Sequence, residues 1–504
     1  MSFAVPAPRV QRLEPRLLLS AFAGERAAVE LSPAGAAPIF SALSADLGIE
    51  ADDCGSALRP VGSGAPVRTV VLSPGGEMFH GMRIEGVTLT TGVHEVVTTG
   101  ARFVIDGGEM SLYRRIDPAT NSYNERLIGR VLFGATSDGS TRAFQYDATA
   151  SETGVVEVLS SADITLSFHA DSLFAIRASA DVEVTVCHLI DDPDWSRSGT
   201  GYMEGYEEEI PYGDGDRIWA SETGGMLHAV WEGSPRIVSR DDDGTTFALS
   251  GDADGDEVAV MVFPARPFNF DDLLGESARP HVLYFSGGDS VYDYQNPEDF
   301  DEFVERRCGV IMLWAGHYDS GEMIGECPVM VDLPGYDEPV RGYKFPEADA
   351  AAYENFITAA HARGFKVITY CTRLRSPRWY YPGDHSRAYE HQSAEVTMDF
   401  MNWFQEQWDL DGWYFDNYDS TTPKANWREI REIRRQVGED GVLFHHNSVD
   451  TWGRYSGLRA VFIDSYMDYT LSGEVGEMGD VDSPNDSSMR WYTGTYGMSQ
   501  AWCS

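Results

Sequence analysis

The stretch DLDGWYFDNYDS, residues 409–420, runs an apolar Trp413-Tyr414-Phe415 core directly into Asp416, Asn417, Tyr418 and Asp419. Upstream, Val396, Phe400, Phe404 and Trp408 recur at the i, i+4, i+8, i+12 spacing of a packed helical stripe. Downstream, Trp427, Ile430, Ile433 and Val437 fall on one side of a second helix. A short strand between two such helices is a βα unit, and units of this kind build a parallel sheet. Asp416 then ends its strand where an unpaired buried carboxylate costs several kcal/mol. The position has either a compensating partner or a chemical use.

Reading outward, the same grammar repeats. HVLYFS (281–286) precedes a helix around Glu298–Arg307 and the strand GVIMLWAG (309–316). The helix ADAAAYENFITAAHARG (348–364) leads into FKVITYCT (365–372). After GWYFD come GVLFHHNS (441–448), MDYTLSGE (467–474) and the closing RWYTGTYGMSQAWCS (490–504). No Gly-rich turn follows an early strand, as an open nucleotide-binding sheet requires. Polar groups instead mark the ends of several strands: His317, Asp319, Arg373, Asp416, His445, His446 and Glu474. Function spread over many strand ends is the organisation of a (β/α)8 barrel of the TIM type. Taking HVLYFS as the first stave, Asp416 closes the fourth, Glu474 the sixth, and YGMSQAW supplies the seventh. The expectation is a barrel incomplete at its C-terminus, because a missing stave leaves open sheet edges.

Between about Pro66 and Phe268 the chain reads differently. Segments such as RFVID, ITLSFHA, VEVTVCHL and VAVMVFPA are β-branched, short and separated by Gly, Asp and Ser. They predict an antiparallel β-sandwich. The acidic loop SGDADGDE resembles a calcium loop but lacks a ligand-bearing continuation, so it reads as a solvated turn. The expected organisation is an N-terminal segment over 1–40, a β-sandwich over 41–275 and the barrel over 276–504.

Composition narrows the function classes. The 504 residues carry 80 acidic and 38 basic side chains, a formal charge of −42 that repels phosphate backbones and argues against nucleic-acid binding. No apolar run reaches the roughly 18 residues that span a bilayer. Six cysteines without CxxC spacing point to neither a zinc site nor a dense disulfide framework.

The candidate site follows from strand alternation. Gly412, Tyr414 and Asp416 point one way, Trp413 and Phe415 the other, and the bulky pair suits the helix side. The same count on the sixth strand sends Asp468, Thr470, Ser472 and Glu474 inward, with Tyr469 and Leu471 toward the helices. Two carboxylates at the rims of non-adjacent staves suit glycosidic cleavage: one protonates the leaving oxygen while the other attacks the anomeric carbon or activates water. Asp416 is assigned as nucleophile or transition-state stabiliser, favouring a retaining mechanism, and Glu474 as proton donor, with Glu477, Asp464 and Asp468 as rivals. His445 and His446, adjacent on a strand, face opposite sides, so one reaches the site and the other packs. Neither HxH nor HExxH spacing supports a metal, and no cofactor is expected. TRLRSPRWYYPGDH (372–385) sets Arg373, Arg375 and Arg378 beside Trp379, Tyr380 and Tyr381, a basic-aromatic loop suited to anionic groups and sugar faces. The remaining candidate substrate contacts are Trp314, His317, Asp319, Tyr370, Tyr414, Asn417, Asp419, Asn447 and Asp468.

Two resemblances add to this. Leu13-Glu14-Pro15-Arg16 followed by Leu17-Leu18-Leu19 resembles the LEPR-XLL segment of exported or surface-associated bacterial proteins, which implies an extracellular or cell-surface location. AAHARGFKVITYCTRLRSP, LDGWYFDNYDSTTPKANWREIREIRRQ, LFHHNS, DYTLSGE and WYTGTYGMSQ together resemble bacterial glycoside-hydrolase-domain proteins, similar to family 123 and distantly to the α-galactosidase clan. The resemblance covers about residues 280–504 and implies a front β-sandwich, a TIM barrel and a carbohydrate substrate. In that clan the nucleophilic Asp ends strand four and the acid follows strand six. Asp416 matches the first position, whereas Glu474 departs from the Asp common at the second. Family 123 uses an adjacent acid pair, and no Asp-Glu dipeptide ends a barrel strand here. The rival readings are a non-catalytic carbohydrate-binding surface protein and a polysaccharide lyase.

Overall fold

A computed structural model describes residues 70–72, 80–190, 195–198, 217–267, 278–313, 329–371, 393–416, 423–447, 462–472 and 498–499, apart from short gaps inside these ranges. The Leu13–Leu19 segment lies outside them. Residues 66–504 form one compact unit.

The described residues of the first half form seventeen strands: β1 (Val70–Leu72), β2 (Ile84–Leu89), β3 (Val93–Thr98), β4 (Ala101–Asp106), β5 (Glu109–Asp117), β6 (Ser122–Phe133), β7 (Gln145–Tyr146), β8 (Val156–Ser160), β9 (Ile164–His169), β10 (Leu173–Ala178), β11 (Val182–His188), β12 (Trp195–Ser198), β13 (Arg217–Ser221), β14 (Gly224–Glu232), β15 (Arg236–Arg240), β16 (Gly244–Leu249) and β17 (Glu257–Phe263). They form two antiparallel sheets, ordered β1-β2-β3-β4-β5-β6-β11-β16-β15 and β12-β13-β14-β17-β10-β9-β8-β7. Strict alternation shows along β5, where Met110, Leu112, Arg114 and Ile116 are buried and their neighbours half-exposed. Phe103 of the first sheet packs on Phe168 and Phe174 of the second, with ring centroids 5.3 and 5.1 Å apart. In the SGDADGDE loop, Asp256 staples the turn, accepting from the backbone N–H groups of Ser234 and Ser250 at 2.8 Å each.

The second half carries a seven-stranded parallel sheet of β18 (His281–Phe285), β19 (Cys308–Leu313), β22 (Lys366–Cys371), β23 (Gly412–Asp416), β24 (Val442–Asn447), β25 (Tyr469–Ser472) and β26 (Met498–Ser499), in that spatial order. The seven segments counted from sequence are the seven strands found, HVLYFS included. A small antiparallel pair, β20 (Val329–Val331) and β21 (Val340–Gly342), is inserted after β19. Among the described residues the α-helices are α1 (Ser290–Asp293), α2 (Asp301–Glu305), α3 (Ala350–Ala362), α4 (Ala394–Trp408) and α5 (Pro423–Val437).

Sequence dictates where these helices begin and end. The Ser393 hydroxyl caps α4, accepting from Val396 N–H at 3.2 Å, and Asp409 closes it in the left-handed region at φ 53°. Phe400 and Phe404 are buried while Val396 and Trp408 pack at the stripe's ends. Pro423 opens α5, where a missing N–H costs nothing. Its buried face includes Trp427, Ile430 and Ile433. One contiguous core runs from the antiparallel sheets into the helix side of the parallel sheet. A separate cluster, containing Val282, Val310, Met312, Ile368 and Val442, covers the sheet's other face. Among the described residues, no helix is long and apolar enough to cross a membrane. The three described cysteines, Cys187, Cys308 and Cys371, are buried.

Candidate functional site

Parallel pairing fixes which residues stand level across β22 to β25. Tyr370 is level with Tyr414, Tyr414 with Phe444, and Phe444 with Tyr469. These four residues share the sheet face opposite the main helix packing. Their rings touch in sequence, with centroids 5.5, 4.9 and 5.9 Å apart. Two residues further along, about 7 Å at the rise of a strand, Asp416 stands level with His446 and His446 with Leu471. Asn447 and Ser472 form the next row. An aromatic floor therefore crosses four strands just beneath the carboxyl ends, and Asp416 and His446 close the strands above it. Parallel sheets, open or closed, place ligands beyond the carboxyl ends of their strands.

Gly412 lets β23 take this course. A β-carbon there would stand 1.9 Å from the Val442 carbonyl oxygen, and the residue's φ of +155° is one that side chains rarely tolerate. On β23, Trp413 and Phe415 belong to the helix-side core and Tyr414 to the opposite face, as alternation predicts.

The other predicted residues separate into three groups. Tyr370 and Tyr414 are 2% and 4% exposed and form part of the floor. Asp468 does not stand where expected, and of the two candidate histidines His445 is the one that packs. The parity expected for the sixth strand is reversed at Tyr469, whose ring meets Phe444 instead of the helices. Asp468 precedes β25, at the amino end of the sheet, and its Oδ2 accepts from Leu443 N–H at 2.8 Å and from the wholly buried Arg434 guanidinium. A carboxylate so engaged holds the strands in register and is remote from the carboxyl-end rim. His445 is buried, and alternation with Phe444 puts it on Leu443's face, toward the helices. It is the packing member of the pair. Trp314, His317, Asp319, Arg373, Arg375, Trp379, Asn417, Asp419 and Glu474 lie outside the described residues, as do the side chains of Asp416, His446 and Asn447.

The amino end of the sheet repeats the Asp468 device. Asp411 Oδ2 accepts from Val367 N–H at 2.6 Å and from His361 Nε2 at 2.9 Å, and Asp409 Oδ2 lies 3.3 Å from His361 Nδ1. The hydrogen bond that His361 donates to Asp411 raises the His361 pKa above its ordinary value against the opposing effect of burial. At the carboxyl end, burial pushes the Cys371 thiol far up, so it carries no thiolate at neutral pH.

Sequence reading missed Phe444 and Tyr469, which complete the floor. Pairing each strand against β23 would have found them. It also missed one of the contacts that fasten this sheet to the antiparallel half. Asp171, in the turn between β9 and β10, accepts from Trp427 Nε1 at 2.7 Å and from the Tyr466 hydroxyl at 2.8 Å. Within HADSL, such an aspartate carries no signal beyond that of a turn residue.

No family model matches the chain, and no curated protein matches it. Among solved structures the chain is similar to an α-N-acetylgalactosaminidase from Bifidobacterium bifidum, at 11% identity and TM-score 0.31, over 79% of this chain and 82% of that one. It is similar to a GH31 family sulfoquinovosidase from E. rectale, at 11% identity and TM-score 0.29, over 73% of each chain. A cycloalternan-forming enzyme from Listeria monocytogenes gives 10% identity and TM-score 0.28, over 79% of this chain and 49% of that one.

Proposed function

We propose that the chain is an exported or surface-associated glycoside hydrolase, a β-sandwich followed by a (β/α)8-type barrel, that cleaves O-glycosidic bonds of a poly- or oligosaccharide. The observation that carries this reading is the stacking of two rows at the carboxyl end of the parallel sheet: Asp416 level with His446, two residues beyond the Tyr370-Tyr414-Phe444-Tyr469 floor. A carboxylate above an aromatic floor suits a sugar ring, whose C–H faces are apolar and whose anomeric carbon becomes cationic in the transition state.

In this mechanism Glu474, kept not on strand alternation but as the nearest match to the acid that follows strand six in the clan the chain resembles, donates a proton to the leaving glycosidic oxygen as the C–O bond breaks, and Asp416 attacks the anomeric carbon. Water, deprotonated by Glu474, then releases the sugar and restores both groups. Burial near a second negative charge is what keeps such an acid protonated near neutral pH. His446 and Asn447 are the proposed hydroxyl ligands, joined by Trp314, His317, Asp319, Arg373, Arg375, Trp379, Asn417 and Asp419. His445 and Asp468 are not among them.

The test is turnover of an Asp416→Asn variant on a glycan panel. Loss of at least about 10³-fold in kcat with the fold retained is expected, the scale of losing a group that acts as a unit with its partner. Unchanged turnover removes Asp416 from the mechanism. Glycan binding by the wild type without any turnover assigns the chain to non-catalytic carbohydrate binding instead.

A further inference from the structure

Asp171 is wholly buried, and only one of its oxygens is used. Oδ2 takes both hydrogen bonds, from Trp427 and Tyr466, while Oδ1 has no hydrogen-bond partner among the described residues. Leaving a buried acceptor unused costs on the order of 1–3 kcal/mol, and apolar packing of similar volume would make a cheaper joint. The two donors explain why the group is there. Trp427 lies on α5, the helix that leaves the end of β23 and returns to β24. Tyr466 stands three residues before β25. A single oxygen from the antiparallel half thus joins the connection that follows Asp416 to the segment that enters β25, the two elements flanking β24.

The surroundings keep this joint rigid. The Trp427 ring meets His169 at 4.7 Å and Trp231 at 5.7 Å, and Trp231 meets Phe462 at 4.9 Å. Lys424, on the first turn of α5, is paired with Glu257 and Glu232 of β17 and β14. The Arg431 guanidinium lies 5.2 Å over the Trp427 ring on its own helix.

We propose that Asp171 is a positioning residue for the site at the end of β23: through Trp427 and Tyr466 it sets the spacing of Asp416 against the residues that β24 and β25 present beside it. The kinetic part of this inference rests on the hydrolase reading; the positional part does not.

The experiment compares Asp171→Leu and Asp171→Asn in the full chain, by hydrogen–deuterium exchange over residues 412–416 and 442–447 and by kcat and KM on a glycan that the wild type cleaves. Asp171→Leu is expected to melt cooperatively, to exchange several-fold faster in both segments, and to lose about 10–100-fold in kcat with KM little changed, the scale of a misplacement near 1 Å. Asp171→Asn keeps an acceptor oxygen in place and is expected to restore both readouts to within about threefold of wild type. If Asp171→Leu does not fold, the pair Trp427→Phe and Tyr466→Phe removes both donors and keeps the rings, with the same outcome expected. Faster exchange confined to α5, with 412–416 unchanged, overturns the proposal, and so does equal loss in the Asn and Leu variants. Should the wild type cleave no glycan, the hydrolase reading falls, and exchange over 412–416 alone decides whether Asp171 positions that strand end.

Discussion

Gly412 and Gly92 both have positive φ, yet a side chain meets different obstacles at each. At Gly412 a methyl group would press to 1.9 Å from the Val442 carbonyl oxygen, and neither that oxygen nor its strand can give way without breaking the β23–β24 ladder. At Gly92, with φ +98°, nothing lies within 4 Å. Backbone strain alone costs about 1–3 kcal/mol, while forced overpacking adds about 1–3 kcal/mol more. Gly92→Ala is therefore expected to lower stability by about 1–2 kcal/mol, and Gly412→Ala by about 3 kcal/mol or more. Urea denaturation midpoints of the two variants check this, and equal losses would show that the Val442 carbonyl moves freely. Because Gly412 stands four residues before Asp416, the larger loss also disturbs the strand that presents the carboxylate.

At the scale of the element, α5 is a basic helix held at its first turn by two glutamates of the antiparallel half. Lys424 sits on its first turn, where the helix dipole disfavours a cation, and no acidic residue shares that turn. The position makes sense only against Glu257, which is 9% exposed, and Glu232, which is 52% exposed. Lys424→Met leaves a nearly buried carboxylate without its cation and is expected to cost about 2–3 kcal/mol, below the roughly 3–5 kcal/mol of a fully buried pair. Glu232→Gln removes a solvated partner and is expected to cost under about 1 kcal/mol. Thermal unfolding of the two variants gives the comparison, and a Lys424→Met loss no larger than the Glu232→Gln loss would make the seam a surface ornament. The elements themselves were largely legible in the sequence. Helical stripes marked α4 and α5, and seven apolar segments marked the seven parallel strands, because periodicity reports burial directly. The faces of β23 were legible for the same reason, since Trp413 and Phe415 are too bulky for the floor side. The faces of β25 were not: counting inward from Glu474 placed Asp468 among the site residues, although Arg434 and Leu443 N–H already occupy its carboxylate. Long-range pairings such as Asp171 with Trp427 leave no periodic trace, so the joint between the halves was invisible.

The whole molecule responds to acid through that joint. Burial, with Arg431, Arg428 and Lys424 adding to it, lowers the His169 pKa to about 3. Burial, followed by Arg266 and Arg434, also drives the His80 pKa well below its ordinary value, against the opposing Met467 carbonyl. Both imidazoles are neutral in the folded protein at neutral pH, whereas in the unfolded chain each takes up a proton near pH 6.5. Between about pH 3 and 6.5 the unfolded chain binds more protons at His169, and below pH 6.5 it does so at His80 too, so stability rises with pH there and acid removes it. Two groups act the other way. The raised pKa of His361 gives a stabilisation present below about pH 6.5 and lost as pH climbs through its folded value. Asp171, raised by burial against the hydrogen bonds from Trp427 and Tyr466, contributes below about pH 3.8 and loses that contribution as pH rises through its own folded value. On lowering pH from 6.5, His169 and His80 each withdraw up to about 1.4 kcal/mol per pH unit; the His361 stabilisation is already in place there, and the gain at Asp171 offsets part of the loss as pH falls through its folded value. The wild type is therefore expected to lose stability in urea titrations stepped from pH 6.5 to 4.5. His169→Phe, which keeps a ring against Trp427 and removes the titrating nitrogen, is expected to flatten that slope by roughly one proton's worth, about 1.4 kcal/mol per unit. A His169→Phe slope identical to the wild type's would mean that the imidazole is hydrated in the folded state and that the joint opens to water before the sheets unfold.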